Sequence, residues 1–160
     1  MNQPISSESS LVHKSIHVAT RPERAFRVFT EQMGRWWPLV SHHIGAAAAE
    51  SCVVEPFVGG RWYERGVDGS ECTWGRVLAW EPPRRVVLAW QISADWKYDA
   101  ALLTEVEVRF VADGDGTRVE LEHRLLERYG ARAAEVQAIL DSPGGWTGLL
   151  GAFVQQVGAA

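Results

Sequence analysis

Apolar and polar residues alternate along most of the chain, which is the pattern of half-buried β-strands. From Leu11 to Ala19, Val12, Ile16 and Val18 share one face. From Ser51 to Leu126 short alternating runs are separated by turn residues, which predicts an antiparallel meander. We place its strands at residues 51–56, 60–66, 71–80, 85–92, 103–112 and 117–125. The turns between them are Gly59-Gly60, Asp68-Gly69, Pro82-Pro83 and Asp113-Gly114-Asp115-Gly116.

A helical period follows the first strand. Thr20-Arg21-Pro22-Glu23 has the features of a helix start, with Thr20 as the predicted N-cap, and Pro38 ends the helix. If the helix continues through Trp36 and Trp37, the two cannot both face the core, because adjacent helical residues point about 100° apart. The pair either fills the core or contributes to the mouth of a pocket. We expect one indole to pack under the sheet and the other to line an opening.

A second helical period occupies the C-terminal part of the chain. A short helix over residues 131–140 precedes a longer one, for which Ser142 is the predicted cap and Pro143 the first residue. The longer helix carries an apolar stripe of Trp146, Leu149, Leu150, Phe153, Val154 and Val157. Only the concave face of the sheet is large enough to bury this stripe. The predicted fold is therefore α+β.

Composition limits the partners of this protein. Its 160 residues correspond to about one domain, predicted at residues 11–158 after a flexible tail at residues 1–10. The net charge of −4, with dispersed arginines, argues against nucleic acid. No apolar run reaches the ~20 residues that span a bilayer, and the first residues lack the features of a signal peptide. We therefore expect no membrane partner and a cytoplasmic location.

Metal binding is not expected either. Cys52 and Cys72 are too few and too far apart for a zinc site and are expected to be reduced core thiols. His42 and His43 are neighbours without the spacing of a metal motif. We predict no metal and no cofactor. The unusual feature is the count of eight tryptophans.

Two polar residues fall on the apolar face of predicted strands. His123 shares its face with Val119 and Leu121, so it is either a satisfied core histidine or a group that binds a ligand. A two-residue turn at Asp68-Gly69 would put Glu64 opposite Thr73 and Trp62 opposite Gly75. A three-residue turn would shift this register by one and put three other side chains inward instead: Arg61, Tyr63 and Arg65.

Several short motifs occur in an order that resembles a known family. They are Pro22-Glu23-Arg24-Ala25-Phe26, Trp36-Trp37-Pro38, Gly59-Gly60-Arg61-Trp62, Asp68-Gly69, Trp74-Gly75-Arg76-Val77, Glu81-Pro82-Pro83-Arg84-Arg85, Trp90, Gly116-Thr117, His123 and Gly145-Trp146. The chain resembles the activator of heat-shock-protein-90 ATPase homologue-like family, within the START-like, polyketide cyclase and pollen-allergen-like superfamily. The resemblance implies a helix-grip fold, in which a curved seven-stranded antiparallel sheet wraps a long C-terminal helix.

The resemblance also implies a function. Members of the superfamily mostly bind apolar or aromatic small molecules between sheet and helix, so we expect such a ligand here. The expected ligand-binding residues are Trp62, Trp90, Trp146, Leu150 and Phe153 as apolar wall, Glu64, Thr73 and His123 in the polar part, and Trp37, His42 and Trp96 at the mouth.

Two other functions remain open. A cyclase-like or hydrolase-like enzyme would use Glu64 and His123 as its acid/base pair. A co-chaperone or regulatory interaction module would use exposed aromatics such as Trp96 and Tyr98. A homodimer is also possible.

Overall fold

One antiparallel sheet and four helices make up the described part of the chain. The structure is a computed structural model that describes residues 11–159, so the predicted tail at residues 1–10 lies outside the described residues. The elements in chain order are β1 (Val12–Val18), α1 (Pro22–Thr30), α2 (Met33–Trp36), β2 (Ala49–Val54), β3 (Arg61–Gly66), β4 (Glu71–Glu81), β5 (Arg85–Trp90), β6 (Thr104–Asp113), β7 (Gly116–Arg124), α3 (Ala133–Asp141) and α4 (Trp146–Gly158). A 3₁₀ segment, Leu126–Arg132, leads from β7 into α3.

The seven strands pair in the order β1-β7-β6-β5-β4-β3-β2, and every pairing is antiparallel. This curled sheet with a long C-terminal helix against it is the helix-grip fold, so the predicted fold class is confirmed. The strand bounds agree with the predicted ones within about two residues. The agreement arises because alternation and turn residues are local features of the sequence.

The C-terminal helix buries the stripe that its sequence predicts, with one exception. Trp146, Leu150 and Phe153 are at most 1% exposed, and Leu149 and Val157 are also buried. Val154 is 37% exposed and therefore lies on the outer side of α4. The buried face of α4 meets α1, α2 and the sheet, which forms a single apolar core.

Both predicted helix caps are wrong. The first helix begins at Pro22, its N-cap is Arg21, and no side chain caps it. Pro22 has no N–H to satisfy, which reduces the need for a cap. Ser142 ends α3 instead of starting α4, and its hydroxyl donates to the Ile139 carbonyl oxygen. Gly145 is the N-cap of α4.

The turn between β3 and β4 differs from the predicted one. Its three residues are Val67 to Gly69, because the N–H of Gly66 donates to the carbonyl oxygen of Ser70. Gly69 has φ of +85°, which glycine adopts without strain. Close to this turn Glu64 therefore lies opposite Cys72 and not opposite Thr73.

A bulge then restores the predicted register further along the same strands. Thr73 pairs with Tyr63 and Gly75 with Trp62, which leaves Trp74 as the extra residue of β4. The expectation that a three-residue turn would bring Arg61, Tyr63 and Arg65 inward is wrong. Glu64 faces inward because the pleat of β3, and not the register of its partner, decides which side chains share a face. Arg61 instead stacks on Tyr63 on the outer face, 4.0 Å from the ring centroid.

Candidate functional site

A cavity of about 370 Å³ lies at one end of the interface between sheet and helices. Four tryptophans contribute to its wall, and aliphatic side chains complete the apolar part, among them Ile44, Ile92, Ile139, Leu140 and Leu149. Trp96 and Ile139 are 42% and 38% exposed, so they lie at the rim. The volume falls within the range of about 300–1,000 Å³ that small-molecule sites usually have.

Two tryptophans of the wall, Trp37 and Trp74, present carbon faces to the cavity, because the protein itself satisfies their indole N–H groups. Trp37 donates from Nε1 to the His42 carbonyl oxygen at 2.9 Å, and Trp74 donates to Glu64 Oε1 at 2.8 Å. The rings of Trp37 and Trp74 pack with centroids 5.1 Å apart. Together with Trp90 and Trp96 they form a wall suited to flat apolar molecules.

Four of the residues expected to form the wall lie behind it. Trp62 and Trp146 are fully buried, and Trp37 covers both of them with ring centroids 6.2 and 6.0 Å away. Leu150 and Phe153 are packed in the core, and Phe153 contacts the Phe29 ring edge to face. These side chains support the wall without lining the cavity. Alternation and helical period show which face a residue occupies, but they do not show its depth below that face.

His123 is also part of the core and does not line the cavity. The indole N–H of Trp146 donates to His123 Nδ1 at 3.0 Å, so the ring proton lies on Nε2, which donates to Thr104 Oγ1 at 2.9 Å. Thr104 in turn donates to the Trp90 carbonyl oxygen. Complete burial lowers the pKa of His123 to about 3. The imidazole is therefore neutral, and both of its nitrogens are occupied.

Glu64 lies directly beneath the cavity floor and accepts only N–H donors. Its carboxylate receives the backbone N–H of Ile44 at 2.7 Å and of Gly45 at 3.1 Å, as well as the indole of Trp74. The side chain is only 2% exposed. The hydrogen bonds of Glu64 and His123 go to different partners, so the structure does not assemble the two residues as an acid/base pair.

The segment after α2 brings two adjacent histidines to the cavity. Backbone N–H groups of Ser41 and His42 both donate to the Pro38 carbonyl oxygen, which folds the chain into a turn. Ser41, His42 and His43 consequently all line the cavity. The sequence analysis placed only His42 at the mouth of the cavity. The missed signal is the run from Pro38 to Ser41, whose proline and serine favour a turn.

Trp74 was missed as well, because strict alternation with Gly75 places it on the outer face. The β4 bulge turns its indole inward to reach Glu64. Thr73 is half-buried opposite Tyr63 and is not part of the cavity wall. No pattern in the sequence marks the bulge.

The loop from Gln91 to Leu103 carries Trp96 to the rim. Trp96 has φ of +62°, a left-handed conformation that is unfavourable for a bulky residue. The loop is held in place from the helical side, where Arg132 binds Asp95 at 2.7 Å and the Tyr129 hydroxyl donates to the Ile92 carbonyl oxygen at 2.6 Å. Tyr98 is 41% exposed on the same loop.

The described residues show neither a metal-binding cluster nor a membrane-spanning helix. Residues 11–159 contain no cluster of three or more His, Cys, Asp or Glu side chains that could hold a metal ion. Within the same residues, no helix has the length and apolar character needed to cross a membrane.

Comparison with known proteins gives one family match. The family model described as Activator of Hsp90 ATPase homolog 1-like protein matches residues 19–158. No curated protein matches the chain.

Solved structures give further similarities. An anthrahydroquino-gamma-pyrone synthase, Txn09, complexed with SUM, is 41% identical, covering 91% of this chain and 95% of that chain with a TM-score of 0.63. CalC from Micromonospora echinospora, described as a self-sacrificing resistance protein, is 30% identical, covering 94% of this chain and 96% of that chain with a TM-score of 0.71. Protein NE0264 from Nitrosomonas europaea is 13% identical, covers 98% of this chain and 99% of that chain with a TM-score of 0.69, and shares the fold.

Proposed function

The chain belongs to the Activator of Hsp90 ATPase homolog 1-like family, and on this premise we propose that it binds a planar, fused-ring aromatic molecule of the polyketide type in the tryptophan-lined cavity. The observation that carries this proposal is the wall itself. Trp37, Trp74, Trp90 and Trp96 surround a cavity of about 370 Å³. Flat ring systems gain both apolar burial and ring stacking from such a wall.

The similarity to Txn09 supports the chemical class of this ligand. At 41% identity over nearly the whole of both chains, it is a close relative, and it is named as the synthase of a fused-ring pyrone. The polar groups of the cavity also fit an oxygenated aromatic molecule better than a hydrocarbon. Ser41, His42 and His43 lie together on one side, where the Ser41 hydroxyl oxygen and the His43 ring can meet polar groups of a ligand.

Chemical conversion of the bound molecule is a second candidate function. The name of Txn09, a synthase, favours it. The acid/base groups would then come from the cavity side chains and not from the predicted Glu64 and His123 pair, since His123 is buried behind Trp90 with both nitrogens occupied.

Equilibrium dialysis with 1,2-dihydroxyanthraquinone tests the binding proposal. We expect the protein to bind this dye more tightly than palmitic acid, whose flexible chain gains less from flat indole faces. The variant Ile139→Trp places a large ring at the cavity rim and should weaken dye binding about tenfold or more.

Val154→Trp is the matched control for this variant. Val154 is as exposed as Ile139, at 37% and 38%, but it lies on the outer side of α4 and does not line the cavity. Its substitution should leave dye binding unchanged. Equal dye affinity in both variants, or no dye binding by the unmodified protein, would contradict the proposed function.

A further inference from the structure

The two histidines of the cavity differ in how their ring nitrogens are used. His42 accepts the Ser41 hydroxyl at Nδ1 and donates from Nε2 to the Gly144 carbonyl oxygen, each at 2.7 Å. His43 donates from Nδ1 to the Gly45 carbonyl oxygen at 3.2 Å. Within residues 11–159, Nε2 of His43 has no hydrogen-bond partner. Among the two cavity histidines, His43 therefore has the nitrogen that can accept a proton from a ligand.

A buried carboxylate lies behind this imidazole. Glu64 Oε2 is 3.8 Å from His43 Nδ1, and the side chain of His43, which lines the cavity, is 27% exposed. Gly45 connects the two residues, because its carbonyl oxygen accepts from His43 and its N–H donates to Glu64. A Cβ atom on Gly45 would lie 2.9 Å from Glu64 Oε2, so the close approach depends on glycine.

We propose that His43 is the proton acceptor for an acidic phenol or enol hydroxyl of the molecule bound in the cavity, and that Glu64 is its positioning residue. The inference rests on the proposed function and narrows the ligand class to aromatic molecules with an ionisable hydroxyl group. In this step the ligand O–H bond breaks and an N–H bond forms at Nε2 of His43. The ligand oxygen keeps the electron pair as phenolate or enolate, and the imidazole becomes imidazolium.

The negative charge of Glu64 stabilises the imidazolium that this transfer creates. A carboxylate at 3.8 Å behind the ring offsets the positive charge, and the Nδ1 hydrogen bond to Gly45 keeps Nε2 as the accepting nitrogen. The carboxylate is held in place by its three N–H donors, so little reorganisation is needed when the proton moves.

The other titratable groups around His43 and Glu64 do not compete with His43 for the proton of the ligand. Cys52 and Cys72 lie on either side of Glu64 in the neighbouring strands. Burial, together with the Glu64 charge, raises the pKa of both thiols, which keeps them protonated. His42 already uses both of its ring nitrogens.

The test is a visible-absorption titration of bound 1,2-dihydroxyanthraquinone, because the neutral dye and its phenolate have different colours. With the unmodified protein we expect the ionisation midpoint of the bound dye to fall at least about one pH unit below that of the free dye, a tenfold change in the ionisation constant. In His43→Gln the phenolate form of the dye should bind about tenfold or more weakly, and the midpoint of the dye that remains bound should return to the value of the free dye.

A matched control and a second variant complete the test. His17→Gln makes the same change at an exposed histidine of β1 and should keep the full shift. Glu64→Gln should lose most of the shift, whereas Glu64→Asp, which retains the charge, should recover part of it. Should Glu64→Gln fail to fold, as circular dichroism would show, the His43 comparison decides.

The possible failures are distinguishable. Dye binding without a shifted midpoint, or a shift that persists in His43→Gln, overturns the role of His43 and leaves the proposed function standing. The absence of dye binding to the unmodified protein overturns the proposed function together with this inference.

Discussion

The interface between sheet and helices has a filled half and a hollow half, and both are built from aromatic rings. In the filled half Phe26, Phe29, Phe110 and Phe153 contact one another edge to face, with centroids 5.2–5.9 Å apart. In the hollow half tryptophans surround the cavity. The difference lies in the indole N–H, which has to find an acceptor when it is buried.

Each acceptor in the hollow half brings a polar atom into the interior. The indoles of Trp37 and Trp74 bind a loop carbonyl oxygen and a carboxylate, and those of Trp62 and Trp146 bind Met33 and a neutral histidine. The phenylalanines require nothing comparable and pack without polar partners. The comparison indicates that the filled half contributes stability, while the hollow half combines apolar area with the polar groups that a binding site needs.

The largest effect should come from Phe153→Ala in the filled half. Phe153 is fully buried against Phe29 and Trp36, so the substitution should lower the free energy of unfolding by about 3–5 kcal/mol. Urea denaturation measures this loss. Because Phe153 does not line the cavity, folded Phe153→Ala should bind 1,2-dihydroxyanthraquinone as the unmodified protein does. A weaker dye affinity in the folded variant would mean that packing in the filled half also determines ligand binding in the hollow half.

A smaller effect concerns His123, which lies beneath the hollow half. Its folded-state pKa of about 3 is below the usual value of 6.5, so between these limits the unfolded chain binds a proton that the folded protein does not. This contribution to stability is complete above pH 6.5 and is lost as pH falls, by about 1.4 kcal/mol for each pH unit. At pH 5 the loss should be about 2 kcal/mol.

Urea denaturation of His123→Gln at pH 7 and pH 5 isolates this contribution. The variant should be less stable than the unmodified protein at pH 7, but its stability should fall less between the two pH values. Burial alone would raise the pKa of Glu107, but hydrogen bonds from Arg85, Arg124 and Arg109 outweigh it and lower this pKa to about 2. The contribution of Glu107 to the free energy of unfolding is therefore lost mainly below pH 4.5, outside the range compared here. An equal decrease in both proteins would contradict the assignment of His123 as a neutral core residue.

The smallest change in stability is expected at Trp96, on the rim of the hollow half. Its φ of +62° suits glycine, so Trp96→Gly should alter the free energy of unfolding by no more than about 1 kcal/mol, and Trp96→Ala should be the less stable of the two. Both variants lose the indole and should bind 1,2-dihydroxyanthraquinone several-fold more weakly. Thermal unfolding and equilibrium dialysis measure the two effects. Unchanged dye affinity in Trp96→Gly would remove Trp96 from the binding site.

The cavity-lining residues that the sequence analysis expected near a ligand follow from local patterns. The cavity includes Trp37, His42, Trp90 and Trp96, each of which was expected near a ligand. The helical-period argument for Trp36 and Trp37 is wrong, because α2 ends at Trp36 and Trp37 has an extended backbone. Both indoles are buried, but Trp36 packs on Phe29 and Phe153 whereas Trp37 lines the cavity. The residues that sequence reasoning missed lie where the chain departs from a regular period: His43 in a turn and Trp74 at a bulge.

By itself the sequence determined the seven strands, most of their turns and the apolar stripe of α4, and its resemblance to a known family implied the helix-grip fold. These features depend on side-chain alternation, helical period and turn residues, all of which act between near neighbours. Only the tertiary structure decided which inward-facing residues reach the cavity and which lie one layer behind, as Trp62 and His123 do. It also decided that Glu64 meets the His43 loop and not His123, because such pairings depend on how distant segments stack in three dimensions.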